Sequence, residues 1–588
     1  MRIKQWIHET ITGFATSFKR FPVAMAMAAL TVAVLIVLNH TAYADRDQRE
    51  LLERVAMVLA MGFPLHLIVH LFWESRSDRN SGIQAVFHAV GIGIQVAAFY
   101  FLVPDLNMVN GTRYTGVTLA LYLLFLMVPY RQSFQGFERY VVKLFSAFFV
   151  TYLYSGILYG GLSAILGTID ALFDVNIPYQ WYFDQFLIIA GVVAPAIFLA
   201  EIPRSREQME AYPYSKLLRI LLLYIVMPLL TVYTVILYTY MGRLLLIREW
   251  PQIMVSHLVV WYGIITVIVL FLTTPLQEEH KWAAIFGRWM PAVILGPFAL
   301  LVTAMGIRIR AYGVTEPRYF VMVTAVWLIG SMIWLILRFR QKKHLPVVAA
   351  LAAVALLSVT GPWSGYSISR WSQNERFETI TKEAGLVDDA GQVTPNPETS
   401  EEVQRHISSI VRYFDQNHDL SQLKGLPDDF TMEEAETFFG FALPDYQWSR
   451  WDDREYFFIA RTMEAETLLI EDYQYMTSFH TFPGMPDHEP NDNAMEVAMG
   501  QDGKVLTVVA DGREVYRKPL LEMVEPILEQ QQLFQREQVP RNQLVFRDET
   551  DEVLIMVAFR SIHGTTNRST GELELEGAEL EVFFSLFE

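Results

Sequence analysis

Residues 220–241 read ILLLYIVMPLLTVYTVILYTYM, twenty-two positions without one charged side chain. As a helix at about 1.5 Å per residue the run covers roughly 33 Å, enough for the hydrocarbon core of a bilayer. It is one of eleven such runs: about 21–39, 52–73, 83–103, 114–130, 142–166, 184–201, 217–241, 253–274, 289–306, 319–338 and 345–360. The last is short and rich in alanine. Over the whole chain 52% of residues are hydrophobic and only 19% charged, with a mean hydropathy of +0.26. That balance points to a membrane protein. The chain has no cysteine, which excludes disulfides, thiolate metal sites and a cysteine nucleophile.

Charge divides the chain. Residues 361–588 carry 18 Lys and Arg against 44 Asp and Glu, while residues 1–360 are basic overall. The expected organisation is an amphipathic N-terminus over 1–20, a transmembrane domain over 21–360 and an acidic soluble domain over 361–588. The fold class is therefore a mostly α polytopic bundle of about 11 transmembrane helices followed by an α+β domain with an antiparallel sheet. A net of −26 in the tail argues against a nucleic-acid partner, which needs a basic footprint. With an internal N-terminus, the inward loops hold 19 Lys and Arg and the outward loops 8. This bias predicts a cytoplasmic N-terminus, an extracytoplasmic tail and a multi-pass protein of the cell membrane. The segment Ala42–Asp45 resembles a small-residue cleavage site after the first run. The long leader and core favour an uncleaved anchor. In residues 1–20, Trp6, Ile7, Ile11, Phe14 and Phe18 share one helical face, a pattern suited to the inner leaflet.

Ionisable groups within spans are costly and so are functional candidates. His66 and His70 lie four residues apart on one helical face, and His88 begins the next span at similar depth. Together they are a weak metal-ligating candidate, against a plain role in hydrogen bonding between helices. Asp45 and Asp47 stand in the first outward loop, where they are weak catalytic candidates for a transferase or a solvated turn. Gly91 and Gly93, with Gly156, Gly160 and Gly161, suit close helix packing. Pro64, Pro195 and Pro228 suit kinks. The densest cluster is GIRIRAYGVTEPRYF between the ninth and tenth runs. Arg308, Arg310, Tyr312, Glu316, Arg318 and Tyr319 are the ligand-binding candidates there. Arginine presents a planar fork that fits phosphate or carboxylate. The plainer expectation is that Glu316 pairs with an arginine and the acidic domain supplies the remaining countercharge.

Three stretches carry a resemblance: LLRILLLYIVMPLLTVYTVILYTYMGRLLLIREWPQ (217–252), GIRIRAYGVTEPRYFVMVTAVWLIG (306–330) and GPWSGYSISRWSQNERFETI (361–380). They resemble the bacterial multi-span proteins of domain-of-unknown-function family 4153. Tyr312, Gly313, Thr315, Glu316, Arg318 and Tyr319 form the most specific element. The resemblance implies a polytopic membrane protein with a soluble C-terminal part. It brings no catalytic residues.

In the tail, Val403, Ile407, Ile410, Val411 and Phe414 have helical spacing after a Ser400 cap. Thr431 and Glu434 suggest a second capped helix. Beyond about 455 the texture becomes strands, with Asp502–Gly503 and Asp511–Gly512 as hairpin turns. PGMPDHEPNDN (483–493) gathers Asp487, His488, Glu489 and Asp492 without the spacing of a calcium loop, so it reads as a solvated loop. No phosphate loop, zinc pattern or local hydrolase signature appears. These features favour a non-enzymatic sensor, binding or scaffold protein without cofactor. A transporter or lipid flippase, and a transferase acting on a lipid-linked donor, are the alternatives. The expected partners are the lipid bilayer and an anionic lipid or envelope protein.

Overall fold

The computed structural model describes residues 16–587 apart from 43–44, 77–80, 131–135, 204–213, 248–252, 340–342, 388–392, 428, 444–453, 462–469, 482–494, 501–503, 532–537 and 568–572. The helix expected over 1–20 is therefore described only from residue 16, and residues 16–20 are helical. The chain forms two compact units, Met1–Pro444 and Asp445–Glu588.

The first unit is a helical bundle. Its early helices are α1 Pro22–His40, α2 Arg46–Glu74, α3 Ser81–Phe101, α4 Met108–Met127 and α5 Phe137–Phe173. Next come α6 Tyr179–Ile188 and α7 Ala194–Ala200, joined through a π-helical turn at Ile189–Val193. A second π-helical turn, Leu221–Val226, joins α8 Lys216–Ile220 to α9 Met227–Ile247. The bundle continues with α10 Ile253–Thr273, α11 Lys281–Val293, α12 Leu295–Tyr312, α13 Glu316–Leu337 and α14 Leu345–Leu357. Joined across their short breaks, these helices give ten described segments long and apolar enough to cross a membrane. They correspond to the first ten apolar runs of the sequence.

The eleventh run forms α14, thirteen residues long and roughly 20 Å at helical rise. It still carries the chain back across the bundle. Tyr319, at the start of α13, donates a hydrogen bond from its hydroxyl to the Trp363 carbonyl at 2.6 Å. The chain thus leaves this face along α13 and regains it after α14. Many bundle side chains combine apolar character with exposure, among them Phe148, Leu153, Ile157 and Val232. In water such a surface would aggregate, whereas in hydrocarbon it is the favoured one. The core is close-packed at Gly263, where an added Cβ would lie 2.7 Å from the Phe298 ring and 2.8 Å from Leu328. A larger residue would wedge α10 from α12 and α13.

Two polar helices complete the first unit, α15 Gly365–Glu383 and α16 Glu401–Asn417, with a short α17 at Ala435–Phe439. The apolar face expected on α16 is buried: Ile407, Ile410, Val411 and Phe414 pack with Phe377, Leu386 and Phe439. Ser400 occupies the N-cap position with extended backbone but makes no side-chain cap bond. Thr431 likewise precedes a 3-10 turn at Met432–Glu434 without a side-chain cap. Composition changes at about 361, whereas the boundary between compact units falls after Pro444.

The second unit contains β1 Arg454–Arg461, β2 Tyr475–Thr481, β3 Met495–Gly500, β4 Val505–Ala510, β5 Arg513–Pro519, α18 Leu520–Gln531, β6 Gln538–Val539, β7 Val545–Glu549, β8 Val553–Asn567 and β9 Leu573–Leu586. One sheet runs β2-β9-β8-β1-β6 with β7 paired to β8, and the other is the meander β3-β4-β5. Every pairing is antiparallel except the short β1–β6 contact. The β4–β5 turn has positive φ at Asp511 and Gly512, 49° and 73°, the backbone of a two-residue hairpin that Asp-Gly favours. Leu520, Met523, Val524 and Leu528 of α18 join Val508, Val557 and Leu580 in the core. The Asp502–Gly503 turn lies outside the described residues, as do Asp487, His488, Glu489 and Asp492.

Candidate functional site

The Tyr312–Glu316 turn connects α12 to α13. Gly313, at φ 71°, adopts a backbone that side chains with a Cβ resist, and this ends α12. Pro317, early in α13, lacks the amide hydrogen that a first turn cannot use. The carbonyls at the end of α12 would otherwise lack partners and carry about half a negative charge. Side chains from two helices meet them. Arg318 Nη1 donates to Tyr312 O at 3.1 Å and to Gly313 O at 2.9 Å. Gln373 Nε2, from α15, donates to Tyr312 O at 3.1 Å and Val314 O at 2.9 Å. Arg376 Nη1 reaches Tyr312 O at 3.3 Å. The Val314 amide donates to Ser372 Oγ at 2.9 Å.

This arrangement gathers positive charge. The Arg318 and Arg376 guanidinium carbons each lie 5.7 Å from the Tyr312 ring centre, within cation–π range. Among the described residues, no carboxylate lies within 4 Å of either group. Arg376 Nη2 is buried and has no acceptor. Burial holds the Arg376 guanidinium below its ordinary pKa. Arg308 brings a third positive charge close to Arg318. Arg310 is exposed.

Among the described residues, Glu316 pairs with no arginine. Its Oε1 accepts from the Tyr413 hydroxyl at 2.6 Å and lies 2.8 Å from His418 Nε2. Tyr413 and His418 are themselves 2.8 Å apart. The His418 and Glu316 side chains are only 4% and 12% exposed. Burial, and then the Glu316 charge, push the Tyr413 hydroxyl well above the usual phenol range, so it stays a donor. The end of α16 takes the one carboxylate of the turn, and the arginines are left to backbone carbonyls. Tyr319 lies on the other side, tied to Trp363.

The membrane histidines form a separate network. Gln95 Nε2 donates to Val58 O at 3.0 Å, so Gln95 Oε1 is the acceptor for His66 Nε2 at 3.1 Å. His66 Nδ1 is then left to accept from His88 Nδ1 at 2.9 Å. Two glycines make the room: an added Cβ would lie 2.8 Å from the His66 ring at Gly91 and 2.1 Å from Gln95 at Gly62. His70 instead meets Gln84 at 3.2 Å. Among the described residues, no group of three or more His, Cys, Asp or Glu side chains is placed to hold a metal ion. Asp45 and Asp47 are exposed at the start of α2.

Gln373, Arg376, Tyr413 and His418 were not legible as site residues. They lie 59 to 102 positions beyond the turn residues they contact, and no local motif marks them. Arg376 and Gln373 are three apart on α15, so they share a helical face. That spacing was the available signal.

The fold and this boundary cluster define a polytopic integral membrane protein. The chain belongs to the family described as Domain of unknown function (DUF4153), whose model matches residues 15–390. It is also similar to an uncharacterised protein of Pasteurella multocida (strain Pm70), with 23% identity over 406 residues. That match covers 68% of this chain and 66% of the relative, just under two thirds of its length. No solved structure matches this chain.

Proposed function

We propose that this is a non-enzymatic binding protein of the bacterial cell envelope that captures an anionic ligand at the Tyr312–Glu316 turn. The carrying observation is the pair Arg318 and Arg376, converging on one ring and one carbonyl with no carboxylate in ion-pair range among the described residues. An internal ion pair would have been the simpler arrangement. The nearby carboxylate is instead held by Tyr413 and His418. The loop charge bias supports placing this turn and residues 361–588 on the extracytoplasmic side. The acidic residues 445–588 then suit a basic envelope partner.

The test uses the full chain in lipid nanodiscs titrated with inorganic phosphate and pyrophosphate. A ligand at about one hundred times its Kd stabilises the native state by about 2.7 kcal/mol, a readable rise in the unfolding midpoint. Arg376→Gln should abolish the rise, and Arg310→Gln, at an exposed position, should keep it. Equal stabilisation of the wild type and Arg376→Gln would remove this turn from the function.

A further inference from the structure

We infer that the group bound by Arg318 and Arg376 is a terminal phosphate, as in a phosphomonoester or a pyrophosphate ester, rather than a phosphodiester or carboxylate. This deepens the anion-binding reading above and rests on it.

Charge is the first argument. Arg318 and Arg376 bring two positive charges, and the end of α12 offsets about half of one. The remainder is about +1.5, before any contribution from Arg308. A phosphomonoester carries about −1.5 to −2 near neutral pH, whereas a diester or carboxylate carries one negative charge and would leave the site underneutralised. A buried surplus of charge is expensive, so the better-matched ligand is favoured.

Donor geometry is the second argument. Arg318 spends Nη1 on two carbonyls, which leaves the Nε and Nη2 side of its fork to a ligand. Arg376 spends Nη1 on Tyr312 O, and its Nη2 is buried without an acceptor. The unpaired donors therefore belong to two guanidinium groups on two different helices. A terminal phosphate has three acceptor oxygens and can bridge both forks, whereas a diester has only two unesterified oxygens.

Location leaves two sources open. The turn joins two spans, and Trp363 and Trp371 are exposed on the segment that supplies Arg376, as aromatic side chains are at a bilayer interface. A lipid headgroup and a soluble phosphate ester share the required chemistry.

The experiment places the full chain in phosphatidylcholine nanodiscs doped equally with phosphatidic acid, a monoester, and phosphatidylglycerol, a diester. Native mass spectrometry reads the lipid retained. Parallel samples receive inorganic pyrophosphate or dimethyl phosphate. The expected result is about tenfold preference for phosphatidic acid or for pyrophosphate, lost in Arg376→Gln and kept in Arg310→Gln. Preference only among the lipids identifies a headgroup, and displacement of phosphatidic acid by pyrophosphate identifies a soluble source. Equal retention of monoester and diester, both lost in Arg376→Gln, overturns the terminal-phosphate inference and leaves the anion reading standing. Retention untouched by Arg376→Gln overturns both. If that variant does not fold, Arg376→Lys keeps the charge without the fork. It should weaken monoester retention at least threefold, and unchanged retention would overturn the bridging geometry.

Discussion

Glu316 illustrates how a single side chain decides the character of a site. Residue order alone pointed to pairing with a neighbouring arginine, because Arg318 is two positions away. Its partners are instead 97 and 102 residues downstream, a relation that no local pattern encodes. Tyr413→Phe removes one donor to a buried carboxylate and should cost about 1.5–3 kcal/mol, seen as a lower unfolding midpoint of the full chain. An unchanged midpoint would mean that His418 alone satisfies Glu316. A second buried carboxylate, Glu581 on β9, makes a pH prediction. Burial works to raise its pKa, but hydrogen bonding from Arg560 and the charges of Arg541 and Arg560 hold it below the ordinary carboxylate value. Both arginines touch it directly. A depressed folded pKa contributes stability that is present above the unfolded value, about 4.3 for Glu, and lost as pH falls through the folded one. Hydrogen exchange in β8 and β9 should therefore accelerate as pH drops below about 4, after correction for intrinsic rates. In Glu581→Gln that acid acceleration should largely disappear. Exchange equally acid-sensitive in both proteins would assign the effect to other groups.

At the level of elements, the two π-helical turns have an identifiable cause. Each ends just before a proline, Pro195 and Pro228, and each covers the residue four positions earlier, Gly191 and Tyr224. Proline cannot donate to that carbonyl, and its ring crowds it. The preceding amides bond five residues back instead, Ala194 to Ile189 and Met227 to Leu222, which widens the turn. Pro195→Ala restores an amide donor for Gly191, so exchange of the amides at 191–196 should slow about tenfold or more. Exchange as fast as in the wild type would show that packing, not the proline, holds the wide turn. Elements were the most legible level of this chain. Apolar runs, amphipathic spacing on α16 and the Asp511–Gly512 turn each depend on neighbours in sequence. Disturbed spans were legible at Pro195 and Pro228, whereas Pro64 lies inside the continuous α2, so a proline alone did not tell a π turn from an unbroken helix. The boundary after Pro444 was also hidden. Composition marks where hydrocarbon ends, whereas compactness follows the tertiary contacts of α15 and α16.

Across the whole molecule, orientation is the property on which the proposed function depends. On the positive-inside count, the starts of α2, α4 and α13 are expected outside, together with Trp363. The structure ties these ends together: Arg54 of α2 donates to Val103 O, ahead of α4, at 2.9 Å, Arg113 of α4 lies 5.9 Å from the Tyr366 ring, and Tyr366 is 6.3 Å from His418, the partner of Glu316. All must therefore face one compartment. The chain contains no cysteine, so single-cysteine variants report without background. Thr41→Cys and Asp105→Cys should react with a membrane-impermeant maleimide in intact spheroplasts, while Arg76→Cys should react only after permeabilisation. The reverse pattern would turn the arginine site to the cytoplasm. Its charge arithmetic would survive, but its ligand would then come from the inner leaflet or the cytosol, and the envelope partner would be lost. Labelling of Thr41→Cys and Arg76→Cys from the same side would contradict the crossing by α2 itself, a span of 29 residues, and with it the alternation on which the remaining helices are assigned.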